Sequence, residues 1–189
     1  MFLEKLAAEH NNIMAYYAAA ASLNGEIILN LHEHLDGSSI MKETDGESAN
    51  GYPRKVESIT LDSLLEKYNK IEGPYLIKID VQGAELEVLK GAEKTLKSTD
   101  YILMEISFFR FFKSSPQFCE VIEFMNKRGF VPYDLTGLRY RPFDNALAQV
   151  DIAFVKEDGI FRKHHNYATA EQRKRMIEYF KKKFRSKIR

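Results

Sequence analysis

Two acidic residues stand at the ends of apolar runs. Asp80 closes YLIKID and Glu105 closes YILME. A carboxylate beside such a run is costly unless it is paired, hydrated or hydrogen-bonded. Placement at a strand end, next to a cleft, meets that condition. There a carboxylate can take up a proton or hold a cationic group. The alternative is that Asp80 caps the following helix through nearby backbone N–H groups, and the same alternative holds for Glu105. In open α/β sheets ligands bind beyond the carboxyl ends of the strands. The positions that qualify are Ala20–Ser22, Asp80–Gly83 and Glu105–Phe108.

Other polar groups cluster in LHEHLDGSSIM. His32 and His34 alternate on one strand face, and Asp36, Ser38 and Ser39 follow. Imidazole, carboxylate and hydroxyls suit the rim of a site for a polyhydroxylated acceptor. The plainer reading is a pair of exposed histidines on an edge hairpin, and His164-His165 reads the same way. A metal site needs a further ligand that the sequence does not place, so none is expected. Phe108, Phe109, Phe111 and Phe112 flank Arg110 and Lys113. They form either an aromatic wall for an acceptor or packing beneath the next helix. Cys119 falls on the inward stripe of that helix and reads as core. Arg139, Tyr140, Arg141, Asp144 and Asp151 surround the last hairpin, as ion pairs or as an anion-binding rim.

The elements that must position these groups alternate. Residues 1–9 read as helix, 13–20 and 26–31 as strands, and 35–54 as a polar loop. Residues 56–59 form a short strand, and Thr60 caps a helix carrying Leu61, Leu64, Leu65 and Tyr68. The run 75–81 reads as a central strand covered on both faces. A helix with Leu86, Leu89, Ala92 and Leu96 follows, then strand 101–107. Ser115-Pro116 opens another helix, with Ser115 as its cap, and Gly129 closes it. Strands 130–135 and 150–155 have no room for a crossover between them, so they pair antiparallel. The pattern predicts an α/β fold: a mostly parallel, Rossmann-like sheet with a C-terminal antiparallel hairpin.

The chain has 189 residues, 44% of them hydrophobic, and a formal charge of +1. A lone cysteine excludes a disulfide-built scaffold. The longest apolar stretch, 13–21, is shorter than the roughly 20 residues a membrane span takes. No signal peptide is read, and a cytoplasmic location is expected. The charge is uneven. Residues 162–189 hold eleven Lys/Arg and two acids, a net +9, against −8 for the rest. Met176, Ile177, Phe180, Phe184 and Ile188 recur at helical spacing there. Docking of this tail by its apolar face is preferred over contact with a membrane surface. Nucleic acid is not favoured as a partner.

One stretch carries a resemblance. It holds Thr60-Leu61-Asp62, then Lys78-Ile79-Asp80-Val81-Gln82-Gly83-Ala84-Glu85, Val88-Leu89-Lys90-Gly91-Ala92 and Thr95-Leu96. With YILMEIS, GFVPYDL and LAQVDIAFV, this resembles the FkbM family of S-adenosylmethionine-dependent methyltransferases. The resemblance covers residues 1 to about 156, and the domain it implies runs over 1–160 with a basic helical tail at 161–189. It implies methyl transfer from S-adenosyl-L-methionine to a hydroxyl of a sugar, glycan or polyketide-like acceptor. The cofactor would lie against Ala20, Ala21, Ser22, Asp80, Val81 and Gln82. Asp80 and then Glu105 would serve catalysis, and His34, Asp36, Ser39 and Phe108 would meet the acceptor. Glu85 would support the helix N-terminus as an anion.

Two departures from the family pattern stand out. Gln82 replaces the usual Glu, keeping hydrogen bonding and giving up charge. The family's strand, Gly-rich loop and helix also have no counterpart near Met1, so the sequence resembles a methyltransferase without its first β-α-β unit. An exposed edge on the strand YLIKIDV is expected, open to self-association, and without the cofactor loop the chain alone is expected to bind the cofactor weakly or not at all and to be inactive. The competing reading is a non-catalytic remnant acting as an interaction module through that edge and the basic tail.

Overall fold

The computed structural model describes residues 2–33, 37–68 and 72–185. Helix α1 (Phe2–Glu9) comes first, and strand β1 is Ala19–Ala20 alone. A strand persists only where a neighbour answers its backbone groups. Ala19 and Ala20 find Ser58 and Ile59, whereas upstream the Ile13 N–H turns back to the His10 carbonyl. The expected strand over 13–20 therefore shrinks to its last two residues.

Strands β2 (Gly25–Leu31) and β3 (Tyr52–Ile59) pair antiparallel from Gly25↔Ser58 to Leu31↔Tyr52. That register draws residues 52–55 out of the expected loop. β1 joins β3 in parallel, completing a three-stranded sheet in the order β1-β3-β2. The rest of the polar loop is anchored. Ser39 bridges Asn30, and Glu43 bridges Phe112.

Helix α2 (Leu61–Lys67) starts where the sequence predicts, with the Thr60 hydroxyl accepting the Ser63 N–H at 3.1 Å. Then come β4 (Tyr75–Ile79), α3 (Glu85–Lys90), a 3₁₀ turn (Thr95–Ser98) and β5 (Thr99–Ser107). Helix α4 (Phe118–Asn126), β6 (Phe130–Tyr140) and β7 (Leu147–Lys156) follow. The second sheet has the order β4-β5-β7-β6. β4 and β5 run parallel, while β7 is antiparallel to both β5 and β6. The α/β class and the closing hairpin are present. The pairings are mixed rather than mostly parallel, because the hairpin folds β7 back between β5 and β6.

The core lies along this second sheet. Leu89, Ile102, Met104, Met125, Phe130, Ile152 and Phe154 are fully buried there. β4 is not the doubly covered strand its apolar run predicts. Ile79 is 3% exposed, but Leu76 is 70% exposed. Among the described residues β5 is the only strand paired with β4.

Helix α4 is capped by Gln117 and not by Ser115. The Gln117 N–H donates to Glu120 at 2.8 Å, one half of a capping box. Ser114 takes a left-handed φ of 65°, and the buried Ser115 hydroxyl donates to the Phe112 carbonyl. That extra turn delays the helix. Val121 and Met125 form its buried stripe, and Cys119 is exposed.

After β7 a second 3₁₀ turn (Ile160–Arg162) leads to helix α5 (Ala170–Arg185). Every described side chain of α5 is exposed, so the expected docking of its apolar face does not occur. No helix among the described residues is long and apolar enough to cross a membrane.

Candidate functional site

The chain leaves β4 through a tight turn. Gln82 has φ 53° and Gly83 φ 92°. A non-glycine residue in the left-handed region is held there by its surroundings. Two hydrogen bonds do so. The Ser39 hydroxyl donates to the Gln82 carbonyl at 2.7 Å. The Gly83 N–H donates to Glu85 Oε1 at 3.0 Å. A Cβ on Gly83 would sit 3.1 Å from both the Phe112 ring and Ser115 Cβ. Ser39 is itself fixed, being 1% exposed and accepting the Met41 N–H at 3.0 Å.

Asp80 stands at the mouth of this turn with a side chain 46% exposed. Its Oδ1 accepts from Gln82 Nε2 at 3.0 Å, and its Oδ2 accepts from Lys78 Nζ at 3.1 Å. Val81 is half-buried against the core. Glu85, one step into α3, is buried. Burial pushes its carboxyl above the ordinary range. Backbone N–H groups of Glu85 and Gly83 oppose that push, and the nearby Asp80 charge adds to it.

Glu105 lies one residue past Met104, and Met104 pairs with Ile79, so Asp80 and Glu105 occupy adjacent positions on neighbouring strands. Their surroundings differ. Glu105 is 4% exposed, hydrogen-bonded by Arg139 and by Gln149 Nε2, the latter at 2.6 Å. Asp80 is open to solvent. A cavity of about 180 Å³ abuts the turn at Gly83, with Met41, Leu86, Glu87, Lys90 and Glu120 in its wall. Neither carboxylate lines it.

Ala20–Ser22 meets α3. The Ala21 N–H donates to the Ile59 carbonyl at 3.0 Å, and its own carbonyl presses on Gly91, where a Cβ would fall 2.2 Å from that oxygen. The Ser22 hydroxyl donates to Glu87 Oε2 at 2.8 Å. The hydrogen bond from Lys90 holds the Glu87 carboxyl below its ordinary range. Partial burial opposes this, and the Ser22 bond reinforces it. So 20–22 and 80–83 converge on one short helix, with the Asp80 turn entering it and Ala21 seated against its last turn.

Asp62 explains the spacing between Thr60-Leu61-Asp62 and Thr95-Leu96. Its carboxylate accepts the Lys94 N–H at 2.9 Å, the Thr95 N–H at 2.8 Å and the Thr95 hydroxyl at 2.7 Å. Burial would raise its pKa, but these bonds outweigh that and hold it low. The sequence displays this motif without revealing that it ties α2 to the turn after α3.

The remaining predicted residues are spread out. The Phe108 ring stacks on Phe118 with centroids 4.8 Å apart, and the Phe108 N–H donates to the Ala148 carbonyl. His34 and Asp36 lie outside the described residues. His32 Nε2 is 3.2 Å from Glu43 Oε1, a contact the sequence reading missed because the two are eleven residues apart. Arg141 grips Asp144 through two bonds of 2.7 and 2.6 Å, which hold the Asp144 carboxyl down at about 2. Among the described residues no group of three or more His, Cys, Asp or Glu is placed to hold a metal ion.

A parallel β4–α3–β5 unit with a carboxylate-bearing turn at the strand's carboxyl end places the protein in the α/β class. The family follows from comparison. The description "methyltransferase FkbM domain" matches residues 4–132, and the chain belongs to that family. It is similar to the hexuronic acid methyltransferase AglP of Haloferax volcanii, with 39% identity over 51 residues. That match takes in 27% of this chain and 21% of the relative, so the chain matches about a fifth of that protein's length. No solved structure matches the chain.

Proposed function

We propose that the protein is an S-adenosylmethionine-dependent O-methyltransferase of Rossmann-like build, acting on a hydroxyl of a sugar, glycan or polyketide-like acceptor. The family membership and the parallel β4–α3–β5 unit support this reading. The relative's printed name puts uronic-acid sugars first among the acceptors to test. The observation that carries the proposal is the Asp80–Gln82–Ser39 arrangement. It is a solvent-facing carboxylate on a strained, hydrogen-bonded turn within the family's own motif.

The donor set fits the cofactor. An exposed carboxylate at a strand end can accept from an ammonium group, and Gly83 lets the backbone turn closely beside it. S-adenosylmethionine, when bound, supplies an electrophilic methyl on a sulfonium. The protein's part is to align the acceptor and receive its proton. Alignment of two reactants at about 3–3.5 Å is worth roughly 7–11 kcal/mol. Asp80 is the proposed acceptor of the proton or of the cofactor's ammonium hydrogens. Gln82 fixes its orientation without adding a second negative charge. Glu105, bound to Arg139 and Gln149, acts in this reading as a positioning residue that stiffens the adjacent strand end. Ser22 is committed to Glu87 and Ala21 to Ile59 and Gly91, so neither is free to meet a ligand in this reading.

The test is transfer of a labelled methyl group from S-adenosylmethionine to glucuronate-bearing, neutral-sugar and polyketide alcohol acceptors, with calorimetry on the same preparations. Methyl incorporation that falls by about 10²-fold or more in Asp80→Ala is expected for a lost proton acceptor. Undiminished transfer by that variant, or binding of S-adenosylmethionine without transfer to any of these acceptors, refutes the reading.

A further inference from the structure

Every described side chain of helix α5 is exposed, yet the helix is not uniformly polar. Met176, Ile177, Phe180 and Phe184 are 37–63% exposed. At about 100° per residue they fall within one stripe roughly 100° wide. Lys174 and Lys181 border one side of that stripe, Lys183 borders the other, and Arg173 falls between its edges one turn before Met176 and Ile177. Glu171 and Glu178 lie near the opposite pole, where Glu171 pairs with Arg175. The helix carries seven Lys/Arg against two acids. Its root is held to the body, because the Phe161 ring packs against Tyr101 and Tyr133, each with centroids 5.7 Å apart.

We propose that α5 is an interfacial helix that docks on an anionic phospholipid surface. Its apolar stripe enters the headgroup boundary, and the bordering lysines lie at the phosphate level. The distribution of charge selects this partner. A protein groove that buried the stripe would also have to pair the lysines on both borders. Two copies packed stripe to stripe would bring those lysines together. A nucleic acid would answer the cations and leave two phenylalanines in water. An anionic membrane answers both, since its surface attracts lysine while its acyl boundary takes the aromatic rings. The inference is independent of methyl transfer.

The test is co-sedimentation of the full chain with vesicles of phosphatidylcholine alone and of phosphatidylcholine mixed with phosphatidylglycerol. Binding to the mixed vesicles at least about tenfold stronger than to neutral ones is expected, and it should weaken with salt. F180S/F184S should reduce binding to the mixed vesicles by about tenfold or more, and K174Q/K181Q by less. All four side chains are exposed, so far-UV circular dichroism of both variants should match the parent in the body. Three outcomes would overturn the proposal: equal binding to both vesicle types, variants that bind like the parent, or a stripe-dependent dimer or nucleic-acid complex without vesicle binding.

Discussion

At the scale of single residues, Gln82, which stands where the resembled motif carries Glu, has a physical reading. Gln82 Nε2 donates to Asp80 Oδ1 at 3.0 Å. An ionised Glu in the same place would lose this hydrogen bond and set two carboxylates against each other. Gln82→Glu is therefore predicted to loosen the turn and lower the melting temperature at neutral pH, and a melting temperature equal to the parent's would contradict it. Asp62 gives a second prediction. Its folded pKa is depressed, so its contribution to stability is present above the ordinary Asp value and fades as pH falls through the folded one. Asp62→Ala leaves the buried Thr95 donors unmatched and should cost about 1–3 kcal/mol at neutral pH. Urea melts of both proteins should converge in acid. The sequence marked Asp80, Asp62 and Ser39, but what each bonds to depends on residues from two to 43 positions away. Ser39 reaches Gln82 only because the Asn30 bridge and the β2–β3 hairpin carry it there.

At the scale of elements, Gly91 shows why a motif can be plain while its reason is hidden. Its φ of −84° suits any residue. What excludes a side chain is the Ala21 carbonyl, 2.2 Å from where a Cβ would be. Gly91→Ala must push β1 away from α3, at a predicted cost of at least about 1–3 kcal/mol. A melting temperature equal to the parent's would show that the contact is soft. The same dependence on neighbours explains the shortened β1 and the extended β3. Apolar runs and turn residues predicted that strands exist there, but each strand's ends were set by its partner's register. Helix α4 began later than Ser115-Pro116 suggests because the left-handed Ser114 and the Gln117–Glu120 capping box were locally stronger.

At the scale of the whole molecule, the two faces of β4 divide stability unevenly. Ile79 is buried among Val88, Leu89 and Met104, whereas Leu76 faces outward. Ile79→Ala should cost about 2–5 kcal/mol. Leu76→Lys should stay within about 0.5 kcal/mol. Chemical denaturation distinguishes the two, and a large loss from Leu76→Lys would mean that this face is covered in solution. The tail belongs to the same scale. Its periodicity and charge were readable, and docking on the body was the simpler expectation. No described side chain of α5 is buried against the body, so the stripe remains exposed.

Local patterns decided the class of fold, the strand-end carboxylates, the α2 cap, the closing hairpin and the family motif, because each depends on residues close together in the chain. Long-range geometry alone decided that β7 enters between β5 and β6, that Arg139 and Gln149 claim Glu105 while Asp80 faces water, and that Ala21 rests on Gly91. Those outcomes depend on which surfaces meet after folding, and hydrophobic periodicity carries no record of the partner.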